Sequence, residues 1–78
     1  MEIKVLGTGC AKCKNLEKLT REAVAKAEID ANVSKVEDIM DILAYGVLVT
    51  PALVIDGKVV VKGRVPSLDE IIKIISAH

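Results

Sequence analysis

The sequence has 78 residues, 51% of them apolar and 28% charged, with eleven basic residues against eleven acidic ones and a formal net charge of +0. That length builds one domain, residues 1–78, and the interspersed charges exclude a disordered chain and a basic surface for nucleic acid. With Tyr45 as the only aromatic, the core is expected to be aliphatic and to supply no more than roughly 3–5 kcal/mol.

The chain opens on "MEIKVL", in which Ile3 and Val5 alternate with Glu2 and Lys4 before Leu6. This is the pattern of a partly buried strand over residues 2–6, ended by Gly7 and Gly9. It lacks the basic segment, apolar run and cleavage site of a leader, so it reads as structure. Beyond Cys13 the residues Leu16, Leu19, Ala23, Val24 and Ala27 follow helical spacing, predicting a helix over residues 11–28. Glu17 with Arg21 and Glu22 with Lys26 offer i,i+4 pairs on its outer side. "ANVSKVE" (31–37) predicts a short strand, and Asp38 with Asp41 caps a helix over 39–45 that Gly46 stops. Tyr45 is read as a packing residue at that helix end.

"PALVIDGKVVVK" joins two β-rich runs through Asp56-Gly57, the pair favoured in two-residue hairpins. In "PSLDE", Ser67 stands three residues before Glu70 as a capping box, and Leu68, Ile71, Ile72 and Ile75 give the last helix its buried face. The order is βαβαββα. Two strands separated by a helix should lie parallel through a right-handed crossover, and the hairpin adds antiparallel strands. A four-stranded mixed sheet with helices on both faces, an α/β class fold in three α/β/α layers, accounts for the apolar pattern. The longest apolar stretches, "GVLVTPALVI" and "IIKII", are interrupted and fall short of the roughly 18 residues that a membrane span needs.

Both cysteines lie in "GTGCAKCKNL". Cys10 begins the helix and Cys13 sits one turn deeper along the same face, so their side chains can meet. Unpaired N–H groups and the positive end of the helix macrodipole favour a thiolate at Cys10, with a smaller screened contribution from Lys12 and Lys14. Cys10 is therefore expected to attack disulfides and Cys13 to resolve the mixed disulfide that forms. As a structural staple the pair closes too short a loop, restricting the unfolded chain by only about 2 kcal/mol. Soft-metal binding is the alternative, because two thiolates suit Cu(I) and CxxC after a first strand also begins small metallochaperones of the heavy-metal-associated type. Those domains carry Met where Thr8 stands and run βαββαβ. A closed zinc site needs four ligands, and His78 is the only other strong candidate; it is read as a solvated side chain.

CxxC opening the first helix of a βαβ unit, together with "VTPALVI" leading into the hairpin, resembles the thioredoxin superfamily. The chain is most similar to the small prokaryotic glutaredoxin-like thioredoxins, or redox-active disulfide proteins. The likeness runs through "GCAKC", "YGVLVTP", "KGRV" and the closing helix. It implies a thioredoxin-like fold and a thiol-disulfide oxidoreductase that reduces protein disulfides, with the Cys10-Cys13 disulfide in place of any cofactor. Cys10 is implied as nucleophile and Cys13 as resolving thiol. By the same resemblance Pro51 is cis beside the disulfide, Thr50 offers its backbone to an extended substrate peptide, and Gly63 matches a glycine near that surface. Gly9, Ala11 and Lys12 complete the implied substrate-binding surface. The partners implied are protein disulfides and an upstream reductase, with a cytoplasmic monomer as the working form. Larger thioredoxins have Trp before the first cysteine and Gly-Pro between the two, and glutaredoxins have Pro-Tyr between them. Here Gly9 precedes and Ala11-Lys12 intervene, so neither a redox potential nor a glutathione pocket carries over.

Overall fold

A computed structural model describes residues 1–78. The elements are β1 (Glu2–Leu6), α1 (Ala11–Ala27), β2 (Asn32–Val36), α2 (Ile39–Ala44), β3 (Ala52–Ile55), β4 (Lys58–Lys62) and α3 (Leu68–Ser76), in the expected order. The sheet has strand order β2-β1-β3-β4. β1 runs parallel to β2, with α1 as the crossover, and antiparallel to β3, which pairs antiparallel with β4.

The period-2 alternation of the strands distributes their side chains to two cores. Ile3 and Val5 of β1 and Leu53 and Ile55 of β3 face α1 and α3, where Leu16, Ala23, Ile71 and Ile75 meet them. Leu6, Ala52 and Val54 face the other way, against Ile42 of α2 and Val47. Three layers result, with α1 and α3 on one side of the sheet and α2 on the other. Tyr45 packs partly buried on the α2 side, and Gly46 takes the left-handed conformation at φ 76° that ends α2. Asp56 and Gly57, both at positive φ, make the two-residue turn between β3 and β4.

Four local details differ from the sequence reading. Thr20 is fully buried, its hydroxyl donating to the Leu16 carbonyl at 2.7 Å, so a polar residue completes the inner face of α1. Leu53 pairs with Val61 but Val54 with Val59, which leaves Val60 as an extra residue on β4. This bulge turns both Val60 and Val61 toward the α1 and α3 side. The expected capping box forms by half: Ser67 accepts from the Glu70 N–H at 3.2 Å, while the Glu70 carboxylate turns to Arg64. Glu17 pairs with Arg21 at 3.1 Å and also receives Lys35 at 3.8 Å, whereas Glu22 and Lys26 form no ion pair.

Candidate functional site

Strand register gathers four connections at one end of the sheet. Leu6, the last residue of β1, lies opposite Val36 on one side and Ala52 on the other, and Ala52 lies opposite Lys62. The residues just beyond these positions are therefore neighbours: the loop from Gly7 to Cys10, Glu37 after β2, Thr50 and Pro51 before β3, and Gly63 after β4.

Gly9, in the left-handed region at φ 93°, turns the first of these loops into α1. Cys10 is the N-cap of that helix, in extended conformation, and its Sγ accepts the Cys13 N–H at 3.1 Å. A sulfur thus takes the place of the oxygen that usually satisfies an orphan helix N–H. Cys10 and Cys13 are joined as a disulfide with their Cα atoms 5.0 Å apart. Cys10 is exposed and Cys13 is 5% exposed, so only the first sulfur faces solvent. Ala11 and Lys12 between them are also exposed.

Cys13 is seated by Gly7. A Cβ on Gly7 would clash with Cys13 Sγ and lie 2.7 Å from Cys13 Cβ, closer than any carbon contact allows. Beside the pair lies a cavity of about 40 Å³, lined by Val5, Gly7, Gly9 and Cys13 with four charged residues, Lys14, Glu17, Lys35 and Glu37.

The Thr50–Pro51 peptide is cis. Pro51 is buried and Thr50 half-buried, while Leu48 and Val49 before them are exposed at 87% and 53%. Gly63, at φ 75°, donates its N–H to the Pro51 carbonyl at 2.8 Å and packs against Val49. The next residue, Arg64, grips the Glu70 carboxylate with both terminal nitrogens, one at 3.1 Å. That hydrogen bond, and behind it the opposite charge, hold the Glu70 carboxyl below its ordinary value and raise the Arg64 guanidinium. The Pro51 segment is thereby tied through Gly63 and Arg64 to the start of α3.

Every residue assigned to the cysteine pair or its substrate-binding surface falls at this end of the molecule: Gly9, Cys10, Ala11, Lys12 and Cys13 on one loop and helix start, Thr50, Pro51 and Gly63 on the facing connections. His78 is exposed and stands apart from the two sulfurs, and no three metal-ligating side chains converge. Sequence patterns do not mark Gly7 as the seat of Cys13, nor Glu17, Lys35 and Glu37 as its charged neighbours. Glu17 is four residues beyond Cys13 on α1 and so was accessible from helix geometry; Lys35 and Glu37 are brought in by the parallel pairing of β2, which no local pattern reveals.

The family model described as a thioredoxin domain matches residues 1–76. A thioredoxin of Methanothermobacter thermautotrophicus is 46% identical over 76 residues, which cover 97% of this chain and 99% of that protein. A thioredoxin of Methanocaldococcus jannaschii is 39% identical over 69 residues, 88% of this chain and 79% of that one.

Proposed function

The chain belongs to the thioredoxin family and is a thiol-disulfide oxidoreductase, and from this premise we propose that it reduces protein disulfides, with Cys10 attacking and Cys13 resolving. The observation that carries the division of labour is the exposed Cys10 at the N-cap of α1, accepting the Cys13 N–H, above a buried Cys13. In the reduced protein that N–H and the helix end stabilise negative charge on Cys10, so it is the sulfur available as a thiolate.

The Cys10 thiolate attacks one sulfur of the target disulfide; a Cys10–target bond forms, the target S–S bond breaks, and the other target sulfur leaves as a thiolate. The Cys13 thiolate then attacks Cys10 Sγ, releasing the second target thiolate and closing the Cys10–Cys13 disulfide. Two electrons pass to the target. An upstream reductase returns them, and the disulfide itself is the only redox group required. Thr50 and the cis Pro51 offer a docking edge for the extended target chain, bordered by Gly63, with Gly9, Ala11 and Lys12 forming the opposite border. Exposed Leu48 and Val49 supply apolar contact beside that edge. The protein works as a single domain and a monomer, in the cytoplasm, where reducing conditions keep the pair in its dithiol form.

The test is turnover of a model protein disulfide such as insulin, with dithiothreitol as reductant. Cys10→Ser should abolish the reduction it catalyses, and Cys13→Ser should accumulate a covalent adduct through Cys10, seen by mass spectrometry. Full activity in Cys10→Ser overturns the assignment.

A further inference from the structure

The first turn of α1 breaks a rule that the other two helices keep. α2 has Asp41 and α3 has Asp69 and Glu70 in the first turn, where negative charge complements the helix end; α1 has no acidic residue there and carries Lys12 and Lys14. Lys18, one turn beyond Lys14, adds a like-charge neighbour that weakens the helix further. Lys12, Lys14 and Lys18, with Ala11 and Asn15 between them, line an open trough that runs from beside Cys10 along α1. All are exposed, no carboxylate lines the trough, and none of the three ammonium groups forms an ion pair.

Activation of Cys10 explains Lys12 and Lys14 but not Lys18. Eight residues past Cys10, it stands roughly 12 Å further along the helix axis, beyond the screening length of about 10 Å at 0.1 M salt. On the flank toward β2, Glu17 and Glu37 offset Lys35 and Lys14, the latter bordering both that cavity and the trough. The positive field is therefore one-sided, extending from the attacking sulfur away from β2. A local stability loss that serves no packing purpose is expected where a surface meets a partner.

We propose that Lys12, Lys14 and Lys18 form a docking strip for targets that carry an acidic segment next to their disulfide, steering the target sulfur onto Cys10. The inference rests on the disulfide-reductant reading above. The strip attracts the acidic segment before the Cys10–target bond forms, so it acts on the bimolecular encounter rather than on resolution by Cys13.

The experiment uses three synthetic peptides with the same intramolecular disulfide followed by Glu-Glu-Glu, Gln-Gln-Gln or Lys-Lys-Lys. Each is mixed with prereduced, reductant-free protein, and the second-order rate of a single turnover is followed by loss of protein thiols. Dividing each rate by that of the Gln peptide with the same protein removes any change in intrinsic thiol reactivity. Near 20 mM ionic strength the Glu peptide should react about three- to tenfold faster than the Gln peptide and the Lys peptide slower by a similar factor. The spread should collapse to within about twofold in 0.5 M salt and in the K12Q/K14Q/K18Q protein, and K18Q alone should narrow it. Equal rates for the Glu and Gln peptides, or a spread that survives in the triple variant, overturn the docking strip while leaving the oxidoreductase intact. Absence of reaction with all three peptides overturns the reductant reading and the strip together.

Discussion

Replacing Gly7 by alanine tests how Cys13 is held. Gly7 is not among the residues at positive φ, so alanine adopts its backbone without strain, and the lower entropy of the unfolded chain alone would stabilise the variant by about 0.4–1 kcal/mol. Against this, the new methyl group would overlap the van der Waals sphere of Cys13 Sγ and approach Cys13 Cβ to 2.7 Å. Overpacking of this kind costs typically 1–3 kcal/mol, and relief is difficult because Cys13 is tied both into α1 and to Cys10. The net expectation is a loss of about 1–2 kcal/mol, which for a domain of this size lowers Tm by roughly 5–15 °C. Thermal unfolding of the oxidised protein followed by circular dichroism measures it. Because the displaced group is the sulfur proposed to resolve the mixed disulfide, the variant should also hold that adduct longer in a single turnover. A Tm equal to or above that of the parent refutes the steric argument, since only the entropic gain would then remain.

Asp38 accepts N–H groups of Met40 and Asp41 at 2.8 and 3.4 Å, so Asp38→Ala should destabilise the protein by about 0.5–2 kcal/mol in denaturant titration. Gly63→Ala and Gly46→Ala both place a side chain at nearly the same positive φ, but only at Gly63 does the added atom meet Val49, at 3.2 Å. Both should lose about 1–2 kcal/mol, and the excess at Gly63 should accompany shifted resonances of Val49 and Thr50. In NMR titration the Glu70 carboxyl should titrate below its ordinary value of 4.5 and return toward it in Arg64→Gln. A native value below the unfolded one adds stability at pH above the unfolded value and loses it as pH falls through the native one. The two proteins should therefore differ in Tm at neutral pH and converge in acid, and a difference that persists in acid would exclude the Arg64–Glu70 pair as its cause.

The element order, the hairpin and the placement of both cysteines were legible because each is written in local chemistry: alternation in "EIKVL", Asp-Gly between β-rich runs, Ser67 and Asp38 at helix starts. The thioredoxin likeness added the meaning of Thr50-Pro51, which as an isolated dipeptide would read as an ordinary trans loop. What escaped was set by contacts between distant segments. Thr20 is polar and pattern-breaking, yet a hydrogen bond back to Leu16 lets it lie in the core. Glu70 fits a capping box by spacing, but the chain brings Arg64 to its carboxylate and a charged partner prevails over an N–H. Val60 is an extra residue on β4, and nothing in the local sequence marks where the register against β3 shifts. Gly7 looked like a strand-ending glycine, and only the packing of α1 on β1 shows that its missing side chain makes room for sulfur.

The helix that presents both sulfurs is braced by α3, its neighbour on the same face of the sheet, and about forty residues of chain separate the two. While the polypeptide is being synthesised, α1 and β1 emerge long before Ile71 and Ile75 exist to close the layer over them. The seat of Cys13 against Gly7 is thus built from the two earliest elements, while the layer that braces α1 is completed only when α3 has been made. A thiol reagent acting on the nascent chain should tell the two sulfurs apart less sharply than one acting on the released protein.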